Sequence, residues 1–245
     1  MKVVAMIPAR YDSQRFPGKL MKDLAGKTVI RRTYETAKQS GLFHDVYVVT
    51  DSPVIAGEIE KTGGKTLISQ KQHATGTDRI AEFAGRTDAD IIINIQGDEP
   101  FIDAAALQKL IDVFQQDPSQ KIDMASLMTA INSRKDFLDP NNVKVVTDTS
   151  GFALYFSRAP IPYSRDAVFE KAFKHIGVYA FRQAVLARIA TLPPTDLEQI
   201  EKLENLRFLQ NGLKIKMIET GSVNFGIDTP EDLERAFAFL KNQNL

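Results

Sequence analysis

The chain of 245 residues is long enough for one substantial core, or for a main domain carrying a smaller flap. Its 31 Lys and Arg are balanced by 31 Asp and Glu, so no broad electrostatic footprint for nucleic acid or a membrane surface is expected, and any phosphate binding must be local. The absence of cysteine excludes disulfides, thiolate metal sites and cysteine nucleophiles, leaving carboxylates and histidine as metal ligands. No apolar run approaches the ~20 residues of a membrane span and the N-terminal one is too short for a signal peptide, so a cytoplasmic protein is expected.

Residues 3–7 form a β-branched run stopped by Pro8, the pattern of a central strand buried on both faces. After a long polar loop, periodicity predicts a helix over 28–39, a strand over 45–50, a helix over 52–62 ending at Gly63-Gly64, and a short strand near Thr66. A helix around 78–85 and a strand over 91–95 follow. Such alternation predicts right-handed crossovers and a largely parallel sheet covered by helices. After Pro118 the rhythm changes, and residues 143–147 and 152–156 flank Asp148-Thr149-Ser150-Gly151 as an antiparallel hairpin. One helix is expected over 198–211 and a strand over 214–218, and Thr229-Pro230-Glu231-Asp232 opens a final helix with a hydroxyl cap and first-turn carboxylates. The expected fold is α/β, a mixed, mainly parallel central sheet flanked by helices with a smaller antiparallel flap. It forms a single domain whose character changes near residue 120.

The loop Pro8-Ala9-Arg10-Tyr11-Asp12-Ser13-Gln14-Arg15-Phe16-Pro17-Gly18-Lys19 leaves the carboxyl end of the first strand, where open parallel sheets bind ligands. Arg10, Arg15 and Lys19 suit a polyphosphate, since Arg bonds two oxygens at once and Lys supplies a compact charge. Without that placement the loop would read as a solvated basic segment. It is neither a Walker A loop nor a G-x-G-x-x-G turn.

Asn94-Ile95-Gln96-Gly97-Asp98-Glu99-Pro100 sets carboxylates just beyond a buried strand, where Asp98 can hold Mg²⁺ against phosphate, Gly97 admits close backbone approach and Gln96 can bond a base or ribose. An ordinary turn is the alternative. Asp228, just before the last helix, is either a charge complementing the helix dipole or the second magnesium ligand.

These two motifs, together with Val143-Lys144-Val145-Val146, Tyr155-Phe156-Ser157-Arg158-Ala159-Pro160-Ile161-Pro162, His175-Ile176-Gly177-Val178-Tyr179 and Leu203-Glu204-Asn205-Leu206-Arg207, resemble the 3-deoxy-manno-octulosonate cytidylyltransferase (CMP-Kdo synthetase) family in the right order over nearly the whole chain. The resemblance implies a nucleotide-diphospho-sugar transferase-like fold, CTP and 3-deoxy-manno-octulosonate (Kdo) as substrates, Mg²⁺ as cofactor, a homodimer, and a role in lipopolysaccharide synthesis. It implies that Pro8, Ala9, Arg10, Arg15 and Lys19 hold the triphosphate, with Thr75, Gly76, Thr77 and Gln96 around the cytidine. Asp98 and Asp228 would hold the metal, with Lys19 and Arg10 assisting catalysis, and Arg158, His175, Tyr179, Glu204 and Asn205 would line the sugar pocket. A sugar carboxylate calls for Arg or His donors, and hydroxyls for Glu, Tyr and amide partners. Taken alone, His175 would read as a hydrogen-bonded core histidine. The nucleotide-binding part would span about 1–120 and 220–245, and the sugar-binding and flap part about 121–219. Leu20 and Asn205 depart from the family's usual proline and glutamine. The alternatives left open are the same transfer to an amino-substituted Kdo or a sialic acid, a non-catalytic nucleotide-binding regulator, and a glycosyltransferase, whose usual Asp-x-Asp motif is not seen after the strand.

Overall fold

The computed structural model describes residues 1–13, 16–165, 171–221 and 226–242. The first half alternates as its periodicity predicts: β1 (Val3–Ala9), a small hairpin of β2 (Asp23–Leu24) and β3 (Lys27–Thr28), α1 (Val29–Gln39), β4 (Asp45–Thr50), α2 (Pro53–Glu60), β5 (Lys65–Ile68), α3 (Gly76–Ala81) and β6 (Ile91–Asn94). The second half comprises α4 (Ala104–Gln115), β7 (Met124–Ile131), α5 (Arg134–Leu138), β8 (Lys144–Thr147), β9 (Ala153–Ser157), β10 (Ala172–Arg182), α6 (Gln183–Ile189), α7 (Asp196–Glu201), α8 (Glu204–Gln210), β11 (Ile215–Glu219) and α9 (Pro230–Asn242).

Side-chain caps set several helix starts. Thr28 accepts from Arg31 N–H before α1, Ser52 from Ile55 N–H before α2, and Thr75 from Asp78 N–H before α3. The single helix expected over 198–211 is two, because Lys202 takes a left-handed conformation (φ 55°) that ends α7 before α8 begins. Apolar periodicity runs through such a break, although α8 buries Leu206 and Phe208 while α7 buries no residue fully and packs only Leu197 against the core. β7 and β10 carry no strong strand signal in the sequence. They form because each is paired on both sides, β7 with β10 and β11, and β10 with β7 and with β6 and β8.

The main sheet runs β11-β7-β10-β6-β1-β4-β5, and along that path every strand points one way except β10. The predicted hairpin is β8 and β9, antiparallel, attached to β10 beyond the end of β6. Alternate residues of β1 feed two cores. Val3, Ala5 and Ile7 pack with α1, α2, α4 and α9 on one face, and Val4 and Met6 with α3, α6 and α8 on the other. Burying each such Ile or Val contributes about 1.5–3 kcal/mol, which is why the centre of the sheet is the rigid base for the loops at its carboxyl edge. The chain proceeds from β1 outward to β4 and β5, then returns to place β6 on the other side of β1. The order therefore reverses between β1 and β6, and ligands of open α/β sheets bind at such a point.

Candidate active site

The loops that follow β1 and β6 open side by side at this reversal. Gly97 is required there, because a Cβ would lie 3.0 Å from the Pro8 carbonyl oxygen and 3.2 Å from Leu20 Cδ1. Leu20 is 4 % exposed and forms the floor of this turn with Ile30, a core role that an apolar residue fills as well as proline. Gly76 makes the matching approach from α3: its Cβ would meet Pro8 Cγ at 3.0 Å and Gln96 Oε1 at 3.2 Å. Pro8, Gly76, Gln96 and Gly97 thus converge, with Thr75 and Thr77 beside them on α3.

A polar line leads out of this corner. Asn94, fully buried in an otherwise apolar strand, accepts from Gln96 Nε2 at 3.3 Å and donates to Thr77 Oγ1 at 3.3 Å. Thr77 in turn donates to Glu204 Oε1 at 2.6 Å. The predicted nucleotide residues are therefore joined to α8, which carries two of the predicted sugar residues.

Asp98 and Asp228 meet on one cation. Lys19 Nζ contacts Asp98 and lies 2.8 Å from Asp228 Oδ1. Backbone ties hold the carboxylates in place: Ile227 N–H donates to the Asp98 carbonyl at 2.9 Å. Thr229 and Asp232 cap α9 reciprocally, and Asp232 also accepts from Asp228 N–H at 3.2 Å. Burial opposes the charge of Lys19, but Asp98 and Asp228 outweigh it and hold the ammonium above its ordinary pKa. Glu99 lies behind the pair. Burial first, and then the charge of Asp98, push its carboxyl up to about 8, so it holds a proton at neutral pH. Two carboxylates from distant segments that already share one cation fit a divalent ion, for which the ammonium stands in. Among the described residues no group of three or more His or carboxylate side chains could hold a metal.

On the sugar side, the His175 ring packs 5.1 Å from Phe156 and 5.3 Å from Tyr179, between centroids. Burial pushes the imidazole down to about 3, and burial together with the nearby Glu204 holds the Tyr179 phenol well above its ordinary value. Burial also raises Glu204 against hydrogen bonds from Thr77 and Thr75 that lower it. Among the described residues, Glu204 Oε2 and both amide atoms of Asn205 are buried without a hydrogen-bond partner. Such unspent capacity is uncommon in a folded chain and suits a polar ligand.

Arg158 is not drawn into this set. Its Nε donates to the Glu201 carbonyl at 2.8 Å and its Nη1 to the Pro140 carbonyl at 3.0 Å, which leaves Nη2 without a described partner. Arg10 is exposed and bonds no described residue, while Ala9 is a buried strand residue of β1. Arg15 lies outside the described residues. Sequence reasoning missed Asn94 as a connector, although an amide inside Ile91-Ile92-Ile93-Asn94-Ile95 was a legible signal, and it missed Ser126, which nothing in its own segment marks.

The family model described as Cytidylyltransferase matches residues 4–215. A Flavobacterium johnsoniae protein named 3-deoxy-manno-octulosonate cytidylyltransferase is 55 % identical over 243 residues, covering 99 % of this chain and all of its own. One of the same name from Syntrophotalea carbinolica is 46 % identical, covering 98 % and 99 %. Among solved structures, a CMP:2-keto-3-deoxy-manno-octonic acid synthetase complexed with CTP superposes with a TM-score of 0.94 at 40 % identity, covering 99 % of this chain and all of that one. A Bacillus anthracis protein named as a candidate glucose-1-phosphate thymidylyltransferase shares the fold alone at TM-score 0.69 and 16 % identity, covering 98 % of this chain and 96 % of that one.

Proposed function

The chain belongs to the cytidylyltransferase family, and from that premise we propose that it transfers the cytidylyl group of CTP to the anomeric hydroxyl of Kdo, yielding CMP-Kdo and pyrophosphate for lipopolysaccharide synthesis. The observation that carries this reading is the meeting of Lys19, Asp98 and Asp228 at the reversal point of the sheet, beside the line from Gln96 to Glu204.

Arg10, Arg15 and Lys19 bind the triphosphate and neutralise the pyrophosphate as it leaves, with Lys19 moving from the two carboxylates to the phosphates. Pro8, Ala9 and Gly97 let backbone approach the nucleotide, and Gln96 with Thr75, Gly76 and Thr77 faces the cytidine. Asp98 and Asp228 would hold Mg²⁺, which when bound would supply charge against the phosphate and lower the pKa of the sugar hydroxyl. That hydroxyl attacks the α-phosphorus in line, so no protein nucleophile is needed, and catalysis rests on positioning and charge neutralisation. Arg158 Nη2 takes the sugar carboxylate, and His175, Tyr179, Glu204 and Asn205 contact the rest of the sugar. The nucleotide part comprises about 1–120 and 220–245, and the sugar part about 121–219.

The working form is a cytoplasmic homodimer. No described helix is long and apolar enough to cross a membrane. Pyrophosphate release with CTP, Mg²⁺ and a panel of sugar acids, including Kdo, its 8-amino analogue and a sialic acid, tests the reading. No release with any of them would refute it, and release only with a sialic acid would refute Kdo.

A further inference from the structure

The bulge in β10 constrains the chemistry of His175 through a residue outside the proposed pocket. β10 and β7 pair with Ile176 opposite Leu127 and then with Tyr179 opposite Ser126, so Gly177 and Val178 stand outside the ladder. Ser126, fully buried, fills the gap. Its Oγ lies 2.8 Å from the Val178 carbonyl oxygen, 3.2 Å from that of Ile176 and 2.9 Å from His175 Nε2.

A serine hydroxyl has one proton to give, and a carbonyl can only accept. If the proton went to Nε2, the hydroxyl oxygen would face the Val178 oxygen at 2.8 Å lone pair to lone pair, with no proton between two buried oxygens. The proton therefore goes to a carbonyl, and Nε2 is left to donate to Oγ. We propose that Ser126 is a positioning residue that locks His175 in its neutral Nε2–H tautomer, so that Nδ1 is an acceptor reading a hydroxyl of the sugar acid and not its carboxylate. The His175 ring makes no other hydrogen bond with a described residue, its backbone N–H going to the Val143 carbonyl, so Nδ1 is unspent. Burial disfavours the imidazolium, in which both nitrogens would donate. A carboxylate offers no proton to a lone pair, whereas a hydroxyl does, and this assigns the acid group to Arg158.

The inference rests on the reading that His175 faces the sugar, and the experiment separates the two. In ¹⁵N-labelled wild-type protein at neutral pH, long-range ¹H–¹⁵N correlation of the His175 ring is expected to show a protonated Nε2 and a bare Nδ1. Ser126→Ala should perturb that pattern and raise the KM for Kdo roughly three- to tenfold, as for one lost hydrogen bond, with the KM for CTP and kcat within about twofold. Ser126→Thr, which keeps the hydroxyl, should restore both. Within a series of monodeoxy Kdo analogues, one should bind Ser126→Ala and wild type equally. A wild-type Nδ1–H tautomer or imidazolium overturns the lock, and so does an unchanged Kdo KM in Ser126→Ala. Wild-type Kdo KM in His175→Gln overturns the placement of His175 at the sugar and this inference with it. A raised Kdo KM in His175→Gln beside an Nδ1–H signal in wild type overturns the tautomer lock alone.

Discussion

The ammonium of Lys19 lies 2.8 Å from Asp228 Oδ1, joining residues 209 positions apart, and the same nitrogen contacts Asp98. A lysine in this position neutralises two carboxylates that would otherwise repel each other, and it competes with any divalent cation for their oxygens.

Asp98→Asn and Asp228→Asn are each expected to remove most turnover while the protein stays folded, since both side chains sit on loops held by backbone bonds to neighbouring segments. Losing one charged ligand should cost several kcal/mol of transition-state stabilisation, on the order of a hundredfold or more in rate. Steady-state rates over a Mg²⁺ titration check this. Wild-type turnover at limiting Mg²⁺ in either variant would contradict the metal assignment.

Lys19→Met should bind CTP at least about tenfold more weakly in calorimetric titration, by loss of a charge-assisted contact. Freed of the ammonium, Asp98 and Asp228 should also take up Mn²⁺ without nucleotide better than wild type does, read as a larger Mn²⁺-induced rise in Tm. An identical Mn²⁺ response in the two proteins would show that Lys19 does not compete for those oxygens.

Arg158→Ala should raise the KM for the sugar acid by about 10- to 100-fold or more, corresponding to roughly 1.5–3 kcal/mol for a lost charge-assisted bond, and leave CTP binding little changed. It should lower Tm as well, because the guanidinium also holds the Glu201 and Pro140 carbonyls. Lys19→Met should show the reverse pattern toward the two substrates. If Arg158→Ala weakened CTP as much as Lys19→Met did, with the sugar KM unchanged, the division into nucleotide and sugar parts would fail.

The nucleotide should be CTP, with kcat/KM well above that for UTP, because Gln96 and the first turn of α3 meet at the corner that the proposed function gives to the cytidine. Gln96→Ala should narrow the ratio. Equal kcat/KM for the two nucleotides in wild type would contradict the assignment of that corner to cytosine.

Stability should respond to pH through two groups of opposite sign. His175 is depressed from 6.5 to about 3, so its neutral form contributes stability that is fully present above about 6.5 and lost as pH falls toward 3. Glu99 is raised from 4.5 to about 8, so its contribution is full below about 4.5 and is lost as pH rises through 8. Urea unfolding from pH 4 to pH 9 should therefore show His175→Gln less sensitive than wild type on the acid side, and Glu99→Gln less sensitive on the alkaline side.

The strands and helices of the first half were legible because β1 and β6 are apolar runs and α1, α2 and α3 follow hydroxyl caps, although β1 does not stop at Pro8 but pairs with β4 through Pro8 and Ala9. Local chemistry alone sets such boundaries. The placement of Lys19 and of the Asp98 turn beyond the ends of β1 and β6 could also be read, since a ligand edge is fixed by where strands end. The sequence could not place β7 and β10, whose strand state depends on partners far along the chain, or foresee the break at Lys202, which a continuous apolar stripe conceals. Nor could it decide which carboxylates share a cation. Asp98 and Asp228 are brought together only when α9 closes against the β6 loop, through the bond from Ile227 to Asp98. The same holds for the tautomer of His175. It depends on a serine 49 positions away and on a bulge that exists only between two paired strands. Residue types determined what chemistry was available to the chain, and long-range pairing decided which groups meet, because hydrogen bonds and ion pairs act over a few ångströms in space with no regard to distance along the chain.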